Sequence, residues 1–497
     1  MYKRFFKSIL PRRFLAIVML LVQLWLLLYT LLSGSVLSQI TQAALLIFGV
    51  VVSISVAAGH QKSAFKVGWI LLILLMPIFG VTVYVIFNFQ HTTRKFAAQV
   101  DASCQAVEEA YRLPGEEPAP SGLAQYLQGR GFPVYGNTQC RYYPLGERAF
   151  EAMLEAMEQA EKYIFLEFFI IEEGQMWDAI LAVLKKKAAQ GVQVRLIYDD
   201  LGCFFLLRPD YPQLLKAYGI QCVPFNPFRP MLTAKQNNRD HRKILSVDGK
   251  VAFTGGVNLA DEYINAVEKF GHWKDVMVRL EGPGAWGLTA MFLQSWLLCT
   301  GEKEDPACWY RPHEAKGGLV QPYCDSPMDR ENVGEAVYLQ IIHSARKYLY
   351  ITTPYLIVDD AMVAAMVLAA KRGVDVQIVT PHRWDKRLVH ITTRSYYREL
   401  LQGGVKIWEY APGFIHGKTF VSDDEVATVG TVNMDFRSLY LHFECGVCLY
   451  EPAAVEQVRE DIQLLFGNCR PITLADCKGN LFSRMVQDVM RLFAPLL

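Results

Sequence analysis

Three apolar runs open the chain and set its first ninety residues apart from the rest. Residues 14–32 carry no charge and are long enough to cross a bilayer as a helix. Residues 40–58 are also uncharged, although Thr41, Gln42, Ser53 and Ser55 dilute them. Residues 67–87 form the third run, with Trp69 and Tyr84 placed as interfacial anchors and Pro77 as a kink. A signal peptide is the alternative for the first run, but its length and the lack of a small-residue cleavage site argue against it. Lys3, Arg4, Lys7, Arg12 and Arg13 place the N-terminus in the cytoplasm. Three spans would then carry the remaining chain outside, whereas Arg94 and Lys95 favour the inside. A re-entrant run, or one outside the membrane, would reconcile the two.

The pattern then changes. Residues 91–112 read as a polar helix, and residues 113–122 hold Pro114, Gly115, Pro118, Pro120 and Gly122, a linker. Beyond it the chain repeats itself. Ala160-Glu-Lys-Tyr-Ile answers Ala345-Arg-Lys-Tyr-Leu, and apolar runs follow at 165–171 and 350–357. Helical patterns then end at Gly191-Val-Gln-Val and Gly373-Val-Asp-Val, and later at Gly219-Ile-Gln-Cys-Val and Gly404-Val-Lys-Ile-Trp. Strand, helix and glycine stop, recurring in that order, predict an α/β class with two similar domains in a pseudo-twofold pair. The expected layout is a membrane anchor over 1–90 with two or three helices, a helix and linker over 91–122, and domains over 123–312 and 313–497.

Composition narrows the function. Hydrophobic residues make up 52% of the 497, which suits lipid contact, and the net charge of +1 offers no global basic surface for nucleic acid. The eleven cysteines are odd in number and irregularly spaced, so a disulfide framework is not expected. Cys445 and Cys448 spell C-x-x-C within a strand-like run; they would face opposite sides and read as buried thiols.

Near the end of each half stands the same string. His241-x-Lys243 is followed by Asp248, then Gly255-Gly256-x-Asn258; His416-x-Lys418 is followed by Asp423, then Gly430-Thr431-x-Asn433. Every matched pair is 175 residues apart, a coincidence that chance does not supply. His-x-Lys on a strand would put both side chains on one face. Asp248 and Asp423 lie at an odd offset before turns and read as structural acids, while Asn258 and Asn433 offer neutral donors to a phosphate. If the halves meet, two imidazoles, two ammoniums and two amides cage one tetrahedral phosphate.

The chemistry follows from those groups. One neutral imidazole attacks phosphorus and forms a covalent intermediate. The other gives its proton to the leaving alkoxide and takes one from the incoming alcohol. Lys243 and Lys418 offset charge on the non-bridging oxygens. Neither a metal nor another cofactor is required, and no H-E-x-x-H or Cys/His cluster occurs to hold a metal. Each imidazole also needs a carboxylate on its far nitrogen; Asp275 and Glu444, which follow the two motifs at comparable distances, are the candidates.

These residues resemble the HKD motifs of the phospholipase D superfamily. Asn433-Met-Asp435-Phe-Arg437-Ser438, Phe443-Glu444, Thr353-Pro-Tyr355, the run from Trp69 through Pro77 and Gly80 to Tyr84, and the closing Phe493-Ala-Pro-Leu-Leu are similar to the bacterial cardiolipin synthases. The resemblance implies a multi-pass protein of the cell membrane that joins two phosphatidylglycerols into cardiolipin and glycerol. It implies His241 as nucleophile and His416 as acid and base. Hydrolysis to phosphatidic acid is the alternative outcome, and an HKD-type nuclease the alternative class. The Gly256 and Thr431 positions depart from the serine common there, and the extra N-terminal run departs from the usual two.

Other signals are weaker. Gly413 to Thr419 imitates a Walker A loop with one residue too few between its glycines, so ATP binding is not expected. Asp248-Gly249 does not continue into a CDP-alcohol signature. Leu481, Phe482, Met485, Val489, Leu492 and Phe493 recur at helical spacing opposite Arg484, Asp488 and Arg491. Packing on the core is the simpler expectation, and a surface helix dipping into lipid the other. Residues 227–243 mix apolar side chains with Arg229, Lys235, Arg239 and Arg242, either a lid touching headgroups or a plain loop.

Overall fold

The computed structural model describes residues 2–88, 91–228, 234–329 and 331–496. It divides into two compact units. One is built on the first 98 residues with Ala234–Asn237 and the C-terminal residues from Asp488; the other holds residues 99–228 and 238–487.

The first unit contains helices α1 (Tyr2–Ser33), α2 (Val36–Ala58), α3 (Ser63–Leu75) and α4 (Pro77–Asn88). Leu15–Ser33, with 19 residues, and Val36–Ala58, with 23, are apolar enough and long enough to cross a membrane. Their outward side chains, Trp25, Leu31, Ile47 and Ile54 among them, are apolar and exposed. The third run does not form the single kinked span expected from sequence. Proline lacks the N–H and crowds the preceding turn, so the helix breaks at Met76 (φ −139°, ψ 72°) and restarts at Pro77. The two pieces fold back on each other: Trp69 meets Tyr84 edge-on at 5.4 Å. A Cβ on Gly80 would stand 2.8 Å from the Ile73 Cα, which is why glycine is there. At 13 and 12 residues, each piece is roughly 20 Å long against a hydrocarbon core of about 30 Å. The buried Gln23 of α1 accepts the Ile78 N–H at 2.9 Å, satisfying a first-turn donor of α4.

The second unit is organised by one 15-stranded sheet. In the first half Tyr163–Phe168, Gln193–Asp199 and Ile220–Phe225 run parallel, and Lys243–Val247, Val251–Gly255, Met277–Glu281 and Tyr135–Tyr143 continue antiparallel. The second half repeats the order with Tyr348–Thr352, Asp375–Pro381 and Lys406–Tyr410, then Thr419–Ser422, Val426–Gly430, Glu444–Leu449 and Gly318–Asp325. The halves join through Tyr135–Tyr143 against Gly318–Asp325. The expected domains thus share one sheet and one compact unit. Helix Pro283–Thr300 is buried from Gly284 to Trp296, as its near-continuous apolar sequence requires, and it packs against the first-half strands. Pro452–Phe466 holds the corresponding place after Glu444–Leu449.

The eleven cysteines are all free thiols, with Cys445 and Cys448 buried in their strand. Arg239 and Arg242 are not headgroup ligands in a lid. Both are buried, Arg239 against Asp199 at 2.9 Å and Arg242 against Glu167 and Asp240 at 2.9 Å each. Lys235 lies 4.2 Å from the centre of the Phe96 ring. Arg229 lies outside the described residues.

Candidate active site

Each motif begins as the chain enters a strand. His241 and Arg242 precede Lys243–Val247, and His416 to Lys418 precede Thr419–Ser422, so the histidines are not in the strands as alternation suggested. They are diverted by backbone pairing across the halves. The His241 N–H donates to Phe443 O at 2.9 Å, and the His416 N–H to Lys274 O at 2.7 Å. Gly413–Ile415 runs parallel to His272–Lys274, and Asp240 bridges Phe443 in the same sense.

This crossing decides the partners. His241 Nδ1 lies 2.8 Å from Glu444 Oε1, and His416 Nδ1 lies 2.6 Å from Asp275 Oδ2. Each imidazole is therefore oriented by the carboxylate of the opposite half. With Nδ1–H donating to carboxylate, Nε2 keeps the lone pair that nucleophilic attack needs. Both imidazoles are buried, each side chain only 9% exposed.

The lysines turn back on their own motifs. Lys243 Nζ donates to His241 O at 2.5 Å, and Lys418 Nζ donates to His416 O and stands 2.9 Å from His416 Nδ1. Burial pushes Lys243 down to about 8 and Lys418 down to about 7, against the pull of the nearby carboxylates. Burial also lowers His241 to about 3 and His416 to about 4, despite the acids that face them. Burial alone would raise Asp275 and Glu444. The His416 and His241 imidazoles outweigh it and hold both below the usual carboxylate range. Lys243 also lowers His416, and Lys418 feels both acids, so the two motifs share one electrostatic environment.

The third motif residue does something different. Asp248 accepts the backbone N–H groups of Glu161, Lys162 and Tyr163 at 2.8 Å each. Asp423 accepts those of Arg346, Lys347 and Tyr348 at 2.6–2.9 Å. Those donors are the repeated Ala-x-Lys-Tyr strings, so the repeat and the motif are two ends of one brace. Positive φ at Asp248 and Gly249 (54° and 66°) and at Asp423 and Asp424 (58° and 62°) gives both hairpins tight primed turns.

Asn258 is committed in part: its Oδ1 accepts the Ile170 N–H at 3.1 Å and its Nδ2 donates to Tyr263 Oη at 2.7 Å. Asn433 is buried, and its Oδ1 has no hydrogen-bond partner among the described residues. Gly256 faces Asp275 so closely that a Cβ would overlap its Oδ1, whereas the equivalent Thr431 donates its hydroxyl to Glu444.

Sequence reasoning passed over several residues here. Ser438 donates to Glu444 Oε1 at 2.7 Å; it closes the string that begins at Asn433, and its position there was the available signal. Trp273 lies over His416 at 5.3 Å between ring centres, and His442 stands beside His241 at 5.5 Å. Phe169 and Tyr263 complete the lining at 5.1 Å from His241 and 5.5 Å from His416. His241, His442 and Glu444 form a group of metal-ligand composition, with ligand atoms within 4.8 Å of one another. The Glu444 oxygens already receive His241, Thr431 and Ser438.

Comparison with known proteins places this geometry. A family model described as "Cardiolipin synthase, PLD-like domain" matches residues 153–270 and 338–465, once over each half. A cardiolipin synthase of Geobacillus thermodenitrificans is 33% identical over 479 residues, spanning 91% of this chain and 94% of that one. The chain belongs to the cardiolipin synthase family. Within that family, cardiolipin synthase 2 of Bacillus anthracis is also 33% identical, covering 86% of each chain. An uncharacterized protein of Streptococcus mutans is 43% identical over 86% of this chain and 96% of its own. The fold extends further: the crystal structure of a phosphatidylserine synthase from Haemophilus influenzae covers 76% of this chain and 98% of its own at 14% identity, with a TM-score of 0.57. The two family matches contain both histidines, both lysines, Asp248, Asp423, Asn258, Asn433 and Glu444; Asp275 lies just past the first match, which ends at residue 270.

Proposed function

We propose that this chain transfers a phosphatidyl group from one phosphatidylglycerol to another, releasing glycerol and forming cardiolipin. The observation that carries the reading is the crossed pairing of His241 with Glu444 and His416 with Asp275, because it yields two oriented imidazoles in one charged enclosure. His241 Nε2 attacks phosphorus, the bond to the glycerol oxygen breaks, and His416 gives its proton to that oxygen. The hydroxyl of the second phosphatidylglycerol then loses its proton to His416 and attacks phosphorus, the P–N bond breaks, and cardiolipin departs. Lys243, Lys418 and Asn433 face the non-bridging oxygens. The arriving phosphodiester carries negative charge into a site holding two ammoniums, and so raises the proton affinity of His416 to that of a useful acid.

One phosphodiester replaces another, so no nucleotide is consumed. The net charge of +1 gives nucleic acid little to bind. We assign the chain to the bacterial plasma membrane as a multi-pass protein. With α1 and α2 as full crossings and α3–α4 as a folded pair too short to cross, Arg94 and Lys95 return to the side of Lys3, Arg4 and Lys7. Lys62, between α2 and α3, and Lys66, in the first turn of α3, fit that cytoplasmic side as well. Purified full-length chain with phosphatidylglycerol alone, read by lipid chromatography, tests the activity. Cardiolipin with an equimolar amount of glycerol is expected; phosphatidic acid as sole product would replace transfer by hydrolysis.

A further inference from the structure

Helix Leu481–Leu492 contains no buried residue, which corrects the expectation that its apolar stripe packs on the core. Leu481, Phe482, Met485 and Val489 are 86%, 68%, 54% and 47% exposed, and Leu492 and Phe493 continue the same face. At 100° per residue these side chains share one arc, and Ser483, Arg484, Gln487, Asp488 and Arg491 fill the other. A face of this kind left in water is a cost that a soluble helix does not normally carry.

Two further observations say what covers it. The turn Ala494–Leu496 that follows packs against α3, and Ala494 is only 1% exposed. That contact ties the helix end to the compact unit that carries the candidate spans. Residues 478–491 carry three cations, Lys478, Arg484 and Arg491, and one acid, Asp488, a sequence charge balance suited to anionic headgroups. Twelve residues give about 18 Å, too little to cross a bilayer but enough to lie along its surface.

We propose that Leu481–Leu492 lies in the plane of an anionic lipid surface, with Leu481, Phe482, Met485 and Val489 among the acyl chains and Arg484 and Arg491 at the headgroups. The inference rests on membrane association and not on the transfer reaction, so either can fail without the other. Full-length chain carrying the photoreactive residue benzoylphenylalanine in place of Phe482, Met485, Val489, Arg484 or Asp488, one at a time, is placed in vesicles of phosphatidylglycerol and phosphatidylcholine. After illumination, covalent adducts are identified by mass spectrometry. Lipid adducts several-fold more abundant at 482, 485 and 489 than at 484 and 488 are expected. Equal yields at all five positions, or adducts from 482, 485 and 489 to peptides of this chain or a second copy, would overturn the proposal. Each variant is first checked for an unchanged circular-dichroism spectrum and melting temperature in detergent micelles, which excludes misfolding as the cause of a missing adduct.

Discussion

The two halves of the catalytic unit share a frame and differ in its lining. Both brace a primed hairpin turn to the start of a central strand through three backbone N–H groups, and both lend a carboxylate to the other half's histidine. The lining is asymmetric. On one side the longer Glu444 is steadied by Thr431 and Ser438, and His442 flanks the imidazole. On the other the shorter Asp275 fills the room left by Gly256, Trp273 flanks the imidazole, and Lys418 touches its Nδ1. The repeated frame fixes geometry, and the unequal lining gives two chemically identical rings different surroundings. Acid length and the size of its neighbour are matched within each half, glutamate with threonine and aspartate with glycine.

Four experiments break or sharpen this comparison. Removing either ring, by His241→Ala or His416→Ala, should cost about 10⁴-fold or more in cardiolipin formation, and the double variant should be little worse, since the two act as a unit. Substantial product from either single variant would end the two-imidazole account. Exchanging the matched neighbours should be unequal. Gly256→Thr drives a Cβ into Asp275 and should lower kcat by about 10²-fold, as loss of an orienting partner does. Thr431→Gly removes one hydrogen bond to Glu444, which predicts roughly 10-fold from about 1–2 kcal/mol.

The pH profile comes third. Lys418 at about 7 and Lys243 at about 8 are charged below those values and neutral above them. kcat/KM, which reports the free enzyme, should therefore fall about tenfold per pH unit between those values and about a hundredfold per unit above them, with His241 neutral throughout. A flat profile to pH 10 would remove the ammoniums from the rate-determining step. The smallest effect should come from His442→Trp, which makes the His241 side resemble the His416 side. A change of a few-fold in kcat is expected, and an unchanged kcat would mean that His442 is only filling.

Much of this was legible in the chain because it is local. The motif repeats at a separation of 175 residues, and glycine stops mark the α/β rhythm of each half. The crossing was not legible, because His241 and Glu444 are 203 residues apart and His416 and Asp275 are 141 apart. Nothing in either segment states that the partner lies in the other half. The third apolar run misled because hydropathy does not register a helix restart at Pro77, and the C-terminal stripe misled because packing and lipid select the same spacing. Arg239 and Arg242 looked like surface cations, yet Asp199, Glu167 and Asp240 sit on separate elements and meet them only on folding.

The division of labour between the rings can be read directly. The His416→Asn variant is mixed with radiolabelled phosphatidyl-p-nitrophenol, whose nitrophenolate departs without a proton from His416, quenched in alkali to preserve phosphoramidates, digested and mapped by mass spectrometry. A phosphatidyl group on His241, formed and then held because the second imidazole is missing, is the predicted result. No adduct at His241, with turnover persisting in the same variant, would contradict it.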